Sequence, residues 1–513
     1  MKRRMYDIFL YAVLIMSLCS CGENKQDPKD SKDKIMLTAE DEMFDGTANV
    51  TKEGVVFDTA SRTPELTIAN GLSINISEKK ILAFEVKNTS DITDLKISFI
   101  TEGDPEWTDF KSAQMTVEKS DDFTTAKLDL SGAYGWLGTL TGLKIRAEGI
   151  SSGEIVMKSV SFLDGGESGI KNIEIGAPEV AYTVQDKMKL GITMAPDGIL
   201  GTWYDTEGKL RSIGSAFGKP FITAGTPDAP FGELIAKNIY PENYNAKEFQ
   251  YYSIAQVIKD PNSDLLVGIT HLERHRDMPG VSDGYIATLG LSISYNDGLD
   301  WKFLGEMLCH NLPVTDLTVS REIGNGTIYV DDEYLYIFAV DMHAGTKQSG
   351  MSVTRIRLNE LFEKCGQEQL PEAYKYKDGK WEEPAWEGDF DNILPEDVAP
   401  NFCYIMYNTI LDKYFMAICH APYYAVNDGD ILLLASDNLT DWSKAERQYI
   451  ACAKLGEQYP TLISMEQDPQ TTSGDKFYLY YCRWNAYDEN GNFDWQHLWG
   501  TAEYIRQTIT IKK

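Results

Sequence analysis

The chain holds only six histidines, and three of them, His271, His343 and His420, each close an apolar run of strand-forming residues. Acids and cations gather at equivalent points. Glu273 and Arg274 lie in THLERHR, Asp341 in VDMHAG, Arg483 and Trp484 at the end of KFYLYYCRW, and Asp205 with Glu207 in WYDTEG. A histidine in a strand is more often a hydrogen-bonded core residue than a reactive one, but the grouping with acids, arginine and tryptophan points to a polar ligand site. Paired carboxyls suit acid/base hydrolysis of an acetal, in which one is protonated and the other ionised. Their separation of about 5 Å or about 6.5–9.5 Å decides between retention and inversion. Glu273 is the expected proton donor, because an apolar strand and a hemmed channel raise a carboxyl pKa. Asp341 or Asp205 is the expected partner. His271, His343, Asn401, His420, Arg483 and Trp484 are the expected substrate-binding residues. A weaker alternative is a divalent ion, since His271-Leu-Glu273 and Asp341-Met-His343 put alternate residues on one side of a strand, with His420 as a fifth ligand. Nucleotide-binding and nucleophile-elbow motifs such as G-x-G-x-x-G, the Walker loop and G-x-S-x-G are absent.

Positioning these residues takes strands that bring their ends together. From about residue 175 a hairpin with an apolar core recurs five times: 189–193 with 199–204, 251–258 with 265–270, 326–330 with 334–341, 401–408 with 413–420, and 459–465 with 476–483. Five such repeats, each the core of a four-stranded sheet, predict a five-bladed β-propeller over residues 175–513. In a propeller the ends of the second strands gather on one face around the channel mouth, which is where the histidines, acids and arginines fall. Two outer hairpins place Ser, an acid and Trp in sequence: Ser294, Asp297, Trp301 and Ser436, Asp437, Trp442. The first resembles the Asp-box hairpin of sialidase-type propellers, the second the S-x-x-L-x-x-W turn of five-bladed glycosidase propellers. Both motifs imply fold, not chemistry.

The repeat pattern resembles glycoside hydrolase propellers of the family 43 and family 32 type over about two thirds of the chain. That resemblance implies three acids near the starts of the innermost strands, and the matching positions are Asp186, Glu248 and Glu322. None lies in a clear family motif. A sialidase reading is disfavoured, because three channel arginines are expected and only Arg274 and Arg483 lie near.

Residues 36–166 alternate polar and apolar over short runs separated by turn residues, the pattern of a small β-sandwich. The order of runs resembles jelly-roll modules attached to glycoside hydrolases, with Trp107, Tyr134 and Trp136 as candidate sugar-stacking residues. Trp136 reads equally well as core. Glu40 and Asp164 are candidate ligands of a structural calcium; no other cofactor is expected. The expected fold class is thus all-β, a sandwich followed by a propeller.

The first twenty residues form a basic start and a short apolar stretch, a secretory signal rather than a span. Its ending, Leu18-Cys19-Ser20-Cys21-Gly22, resembles a bacterial, Bacteroidetes-like lipobox. By that resemblance residues 1–20 are removed, Cys21 carries the lipid anchor, and the protein sits on the outer membrane or cell surface. Residues 21–35 are polar and read as a tether. With 48 Lys+Arg against 78 Asp+Glu the formal net charge is -30, which argues against a nucleic-acid partner. The abundance of aromatic residues suits a carbohydrate partner. The six cysteines outside the signal (309, 365, 403, 419, 452, 482) lack metal-type spacing and read as buried thiols, with one disulfide possible. The expected function is therefore an anchored glycoside hydrolase, the alternative a non-catalytic surface glycan-binding lipoprotein.

Overall fold

The computed structural model describes residues 33–37, 44–59, 63–77, 79–108, 111–149, 151–164, 169–277, 284–315, 321–343, 349–420, 430–451, 456–485 and 494–512. The side chains of residues 44, 45, 321, 322, 325, 342, 343, 349, 451 and 495 are outside this set. Cys21, the signal and most of the tether also lie outside it. The fold is all-β, with three short helices among the described residues. It divides into two units, 1–169 and 170–513.

In the first unit, apolar residues alternate along strands such as 65–68, 94–101 and 154–163, so these bury one face. Strands 120–129, 81–88, 154–163, 54–58 and 49–51 form one sheet in that order, with 34–36 added beside 154–163. Strands 44–46, 65–68, 139–147, 94–101 and 112–116 form the other, with 74–75 added beside 139–147. Phe57, Phe84, Phe99 and Phe162 fill the core. Trp136 belongs to that core: it is 2% exposed, packs edge-on to Phe99 at 4.8 Å and donates Nε1–H to the Lys79 carbonyl at 2.8 Å. Burial on both sides removes it from the sugar-stacking candidates.

The second unit is built from antiparallel meanders. Blade one uses strands 201–204, 210–215, 220–226 and 229–237, and blade two 251–259, 266–275, 285–294 and 302–308. Blade three uses 321–330, 334–343, 349–357 and 374–377, extended by 380–384. Blade four uses 400–408, 413–420, 430–436 and 446–451. Blade five uses 456–464, 476–484 and 503–511, and takes its outer strands from the start of the unit, since 173–175 and 179–182 both pair with 503–511. The first strands of successive blades pack against one another. The ring closes where Leu200 N–H donates to Thr461 Oγ1 at 3.1 Å and Thr202 N–H to Gln470 Oε1 at 3.2 Å. The first strands of blades two, three and five carry bulges at 254/256, 324/327 and 458/461. Thr327 Oγ1 takes the Ile405 amide at 3.0 Å, tying blade three to blade four.

Blade one differs from the expected hairpin. Residues Val184–Leu190 form a helix, because Thr183 caps it and Asp186 completes a reciprocal capping box, while Gly191 ends it at φ 73°. The innermost strand is therefore 201–204, and the expected hairpin is shifted by one strand. Both outer Trp motifs hold: Trp301 is 2% and Trp442 0% exposed, and Ser294 Oγ accepts the Gly298 amide at 3.1 Å.

Candidate functional site

Strand 266–275 carries the sequence H-L-E-R-H, so His271, Glu273 and His275 project from one face at a period of two. Glu273 Oε1 lies 3.0 Å from His271 Nε2 and Oε2 lies 2.8 Å from His275 Nε2. Its side chain is 19% exposed. Burial alone pushes such a carboxyl up, but here the hydrogen bonds and charges of His271 and His275 prevail and hold it at about 2. This reverses the direction expected of Glu273: it is the ionised member, not the proton donor.

The proton-holding carboxyl is one that sequence reading passed over. Asp197 lies in the turn that enters blade one's innermost strand. Tyr459, from blade five, donates its hydroxyl to Oδ1 at 3.0 Å. The Tyr251 hydroxyl, from blade two, lies 3.1 Å from Oδ2 and 2.7 Å from the Asp197 carbonyl. Burial pushes the Asp197 carboxyl up, the Tyr459 hydroxyl opposes this and the Glu273 charge adds to it, leaving it at about 6. Tyr251 pairs with Glu273 across strands 251–259 and 266–275 and meets the His271 ring at 5.6 Å, so the tyrosine links the two acids. Tyr459 sits at φ 61° beside the bulge at 458/461, a left-handed conformation that marks a locally constrained residue. Behind it stand Phe402 at 4.5 Å and Trp484 at 5.7 Å. Two acids held apart in pKa, coupled by charge and both neighbours of Tyr251, can divide acid and base roles between them.

The other expected residues go elsewhere. Asp205 ends blade one's first strand, at the far end of the hairpin from Ser215 and hence from Asp197, whose amide Ser215 accepts. There it pairs with Arg211 at 2.7 Å and accepts the Glu207 and Lys209 amides at 2.9 Å each, a turn-stabilising role. The one-strand shift is the cause. Asp341 is 1% exposed and lies 3.6 Å from Lys375, whose ammonium donates to the carbonyls of Cys309 at 2.6 Å and Gly388 at 2.9 Å. Burial pushes Asp341 up to about 6 against the opposing charge of Lys375. Its carboxylate thus faces Lys375, on an outer strand of the same blade.

His420 is 4% exposed and accepts the Ala399 amide at Nδ1, 3.2 Å away. Burial pulls it down to about 4, so it is a neutral core histidine. Arg483 is committed to Glu457 at 2.9 Å. Trp484 is 2% exposed, packed between Tyr459 and Trp499, and forms a wall behind the site rather than a platform. Asn401 is half-buried at the start of blade four's first strand. The His343 side chain lies outside the described residues.

Of the three family-matching positions, Asp186 belongs to the helix cap and Glu248 pairs with Arg274 at 3.1 Å. The Glu322 side chain is not described. Among the described residues no group of three His, Cys, Asp or Glu side chains is arranged to hold a metal ion, and Cys309, Cys365, Cys403, Cys419 and Cys482 are unpaired and buried. Cys452 and Glu40 lie outside the described residues, and Asp164 pairs with Lys79 at 2.8 Å. In the first unit, Trp107 is 38% exposed with the Lys144 ammonium 4.5 Å from its ring centre. A groove of about 450 Å³ crosses the opposite sheet, lined by Lys87, Phe123 and Glu154, none of which the sequence pattern singled out.

No family model matches the chain, and no curated protein matches it. Solved structures that resemble it include a protein of unknown function from Dyadobacter fermentans, at 11% identity and TM-score 0.35, over 87% of this chain and 99% of that one. Bacillus subtilis arabinanase Arb43A aligns at 10% identity and TM-score 0.36, over 60% of this chain and 92% of its own. A xylan-binding module from Roseburia intestinalis aligns at 14% identity and TM-score 0.20, over 26% of this chain and 96% of its own. At these scores the likenesses carry no weight in assigning an activity.

Proposed function

We propose that the chain is an exported, lipid-anchored glycoside hydrolase whose five-bladed propeller cleaves a poly- or oligosaccharide at the mouth formed by blades one, two and five. Asp197 is the proton donor to the leaving oxygen. Glu273 is the ionised carboxylate that activates water or stabilises the sugar cation, and His271 and His275 hold it in place. Tyr251 and Tyr459 position Asp197. The observation that carries this reading is the divergence of two charge-coupled carboxyls, one at about 6 and one at about 2. The test is release of reducing sugar from a broad polysaccharide and oligosaccharide panel. Asp197→Asn and Glu273→Gln are each expected to lower kcat by about 10²–10⁴-fold, the usual range for a general acid or base. Release that survives both substitutions overturns the site.

A second reading has its own observation. Both oxygens of Glu273 are already engaged by imidazoles, which suits a fixed acceptor for sugar hydroxyls as well as a reactive carboxylate. A surface glycan-binding lipoprotein would bind a glycan through this mouth and release no sugar.

A further inference from the structure

The sheet that builds blade three ends, away from the mouth, in a belt of aromatic rings. Tyr329 and Tyr336 lie 6.1 Å apart, Tyr334 and Tyr336 6.0 Å, Tyr336 and Trp381 5.7 Å, and Tyr376 and Trp381 5.0 Å. Register puts Tyr336, Arg355 and Tyr374 side by side on one face, with Tyr334 opposite Arg357. The Arg355 guanidinium lies 4.4 Å from the Tyr334 ring centre and 4.7 Å from that of Trp381. Its partners are these rings; among the described residues no ion pair or hydrogen bond engages its N–H groups. Arg357, by contrast, is paired with Glu333. The aromatic rings thus hold the Arg355 plane while leaving its in-plane donors to the outside. Tyr334, Arg355, Arg357, Tyr374 and Trp381 line a groove of about 240 Å³, with Glu360 and Glu372 at its rim.

We infer that this groove is a second saccharide-binding site, separate from the mouth, which takes a short stretch of a neutral glycan chain. The strand 334–343 runs from the groove toward the mouth side, roughly 30 Å of strand at ~3.3 Å per residue. Arg355 donates in bidentate fashion to two vicinal oxygens of one sugar unit. Glu360 and Glu372 accept hydroxyl protons, and the Trp381 and Tyr374 rings cover C–H edges. The groove is smaller than the ~300–1,000 Å³ of enclosed ligand clefts, so most of a chain stays outside it. Two rim carboxylates and a net charge of -30 disfavour a polyanionic glycan. The choice of a saccharide rests on the function proposed above.

The test is affinity gel electrophoresis of the full chain in gels containing arabinan, galactan, xylan or mixed-linkage β-glucan, with polygalacturonate as the acidic probe. At least one neutral polysaccharide is expected to retard the wild type and Asp197→Asn equally. Arg355→Ala and Trp381→Ala are expected to weaken that retardation at least tenfold, with circular dichroism unchanged. Arg355→Lys, which keeps the charge without the fork, is expected not to restore it. Sugar release from a short oligosaccharide is expected to be unchanged in all three. Retardation that these variants leave intact, retardation by polygalacturonate alone, or no retardation by any neutral glycan overturns the inference. Failure of the mouth reading shows differently, as retention of binding with no sugar release from any substrate.

Discussion

Asp197 and Glu273 are both short of water, yet their neighbours set them apart. Glu273 keeps two imidazoles within 3.0 Å, and Asp197 keeps only neutral hydroxyls at that range. Burial raises both carboxyls; at Glu273 the hydrogen bonds of two imidazoles, and then their charges, outweigh it, whereas at Asp197 the hydroxyl hydrogen bonds do not. Burial also governs His420. With a folded pKa near 4 and an unfolded value of about 6.5, its neutral form is favoured by folding. The unfolded chain then binds more protons between those values, so this contribution is fully present above about pH 6.5 and is lost as pH falls toward 4. Asp197 and Asp341, both near 6, act with the opposite sign, since their protonated forms are favoured by folding. Replacing His420 by Asn, whose carbonyl can still accept the Ala399 amide, is expected to flatten the loss of stability between pH 6.5 and 4 by up to about 3 kcal/mol. Urea unfolding of both proteins at the two pH values measures this; equal slopes would contradict it.

At the scale of elements, much of the site was legible where one strand carried it. The H-L-E-R-H run shows by its period alone that His271, Glu273 and His275 share a face. The ends of the second strands in blades three to five fall within two residues of where the hairpin pattern placed them, while blade two's runs on to His275, five residues past the expected end. What sequence left open is what each side chain meets: His420 accepts the Ala399 amide at the entrance to blade four, and Asp341 faces Lys375 of blade three. Asp197 was missed because residues 189–193, expected as blade one's first strand, hold the end of a helix and its Gly191 cap; the first strand is 201–204, so the turn at 196–198 enters it instead of leaving it. The signal was present in Thr183-x-x-Asp186, a capping box that, once recognised, shifts the hairpin and brings Asp197 to the mouth. Removing that cap by Thr183→Ala is expected to cost about 1 kcal/mol in urea unfolding, with the folded site unchanged. A loss of sugar release in this variant under folding conditions would mean that the helix does more than precede the strand.

The whole molecule joins an acidic, all-β body to an N-terminal segment that reads as an export signal and lipid anchor. No helix among the described residues is long and apolar enough to cross a membrane. Under the proposed function, attachment is through Cys21. Expression in a bacterial host with an alkyne-labelled fatty acid is expected to label the wild type and not Cys21→Ala, and to move the protein from membrane to soluble fractions in the variant. Label retained by Cys21→Ala would contradict the anchor. A polysaccharide too large to enter the cell would then meet both the mouth and the blade-three groove at the surface. The central claim, however, is the division of labour between Asp197 and Glu273. It is tested most directly by the pH dependence of kcat/KM for sugar release by the wild type and Asp197→Asn. The wild-type rate is expected to fall as pH rises through about 6, where Asp197 gives up its proton. In Asp197→Asn the rate should be about 10²–10⁴-fold lower, with that limb gone. A variant that keeps the wild-type rate and the same alkaline limb would show that another group supplies the proton.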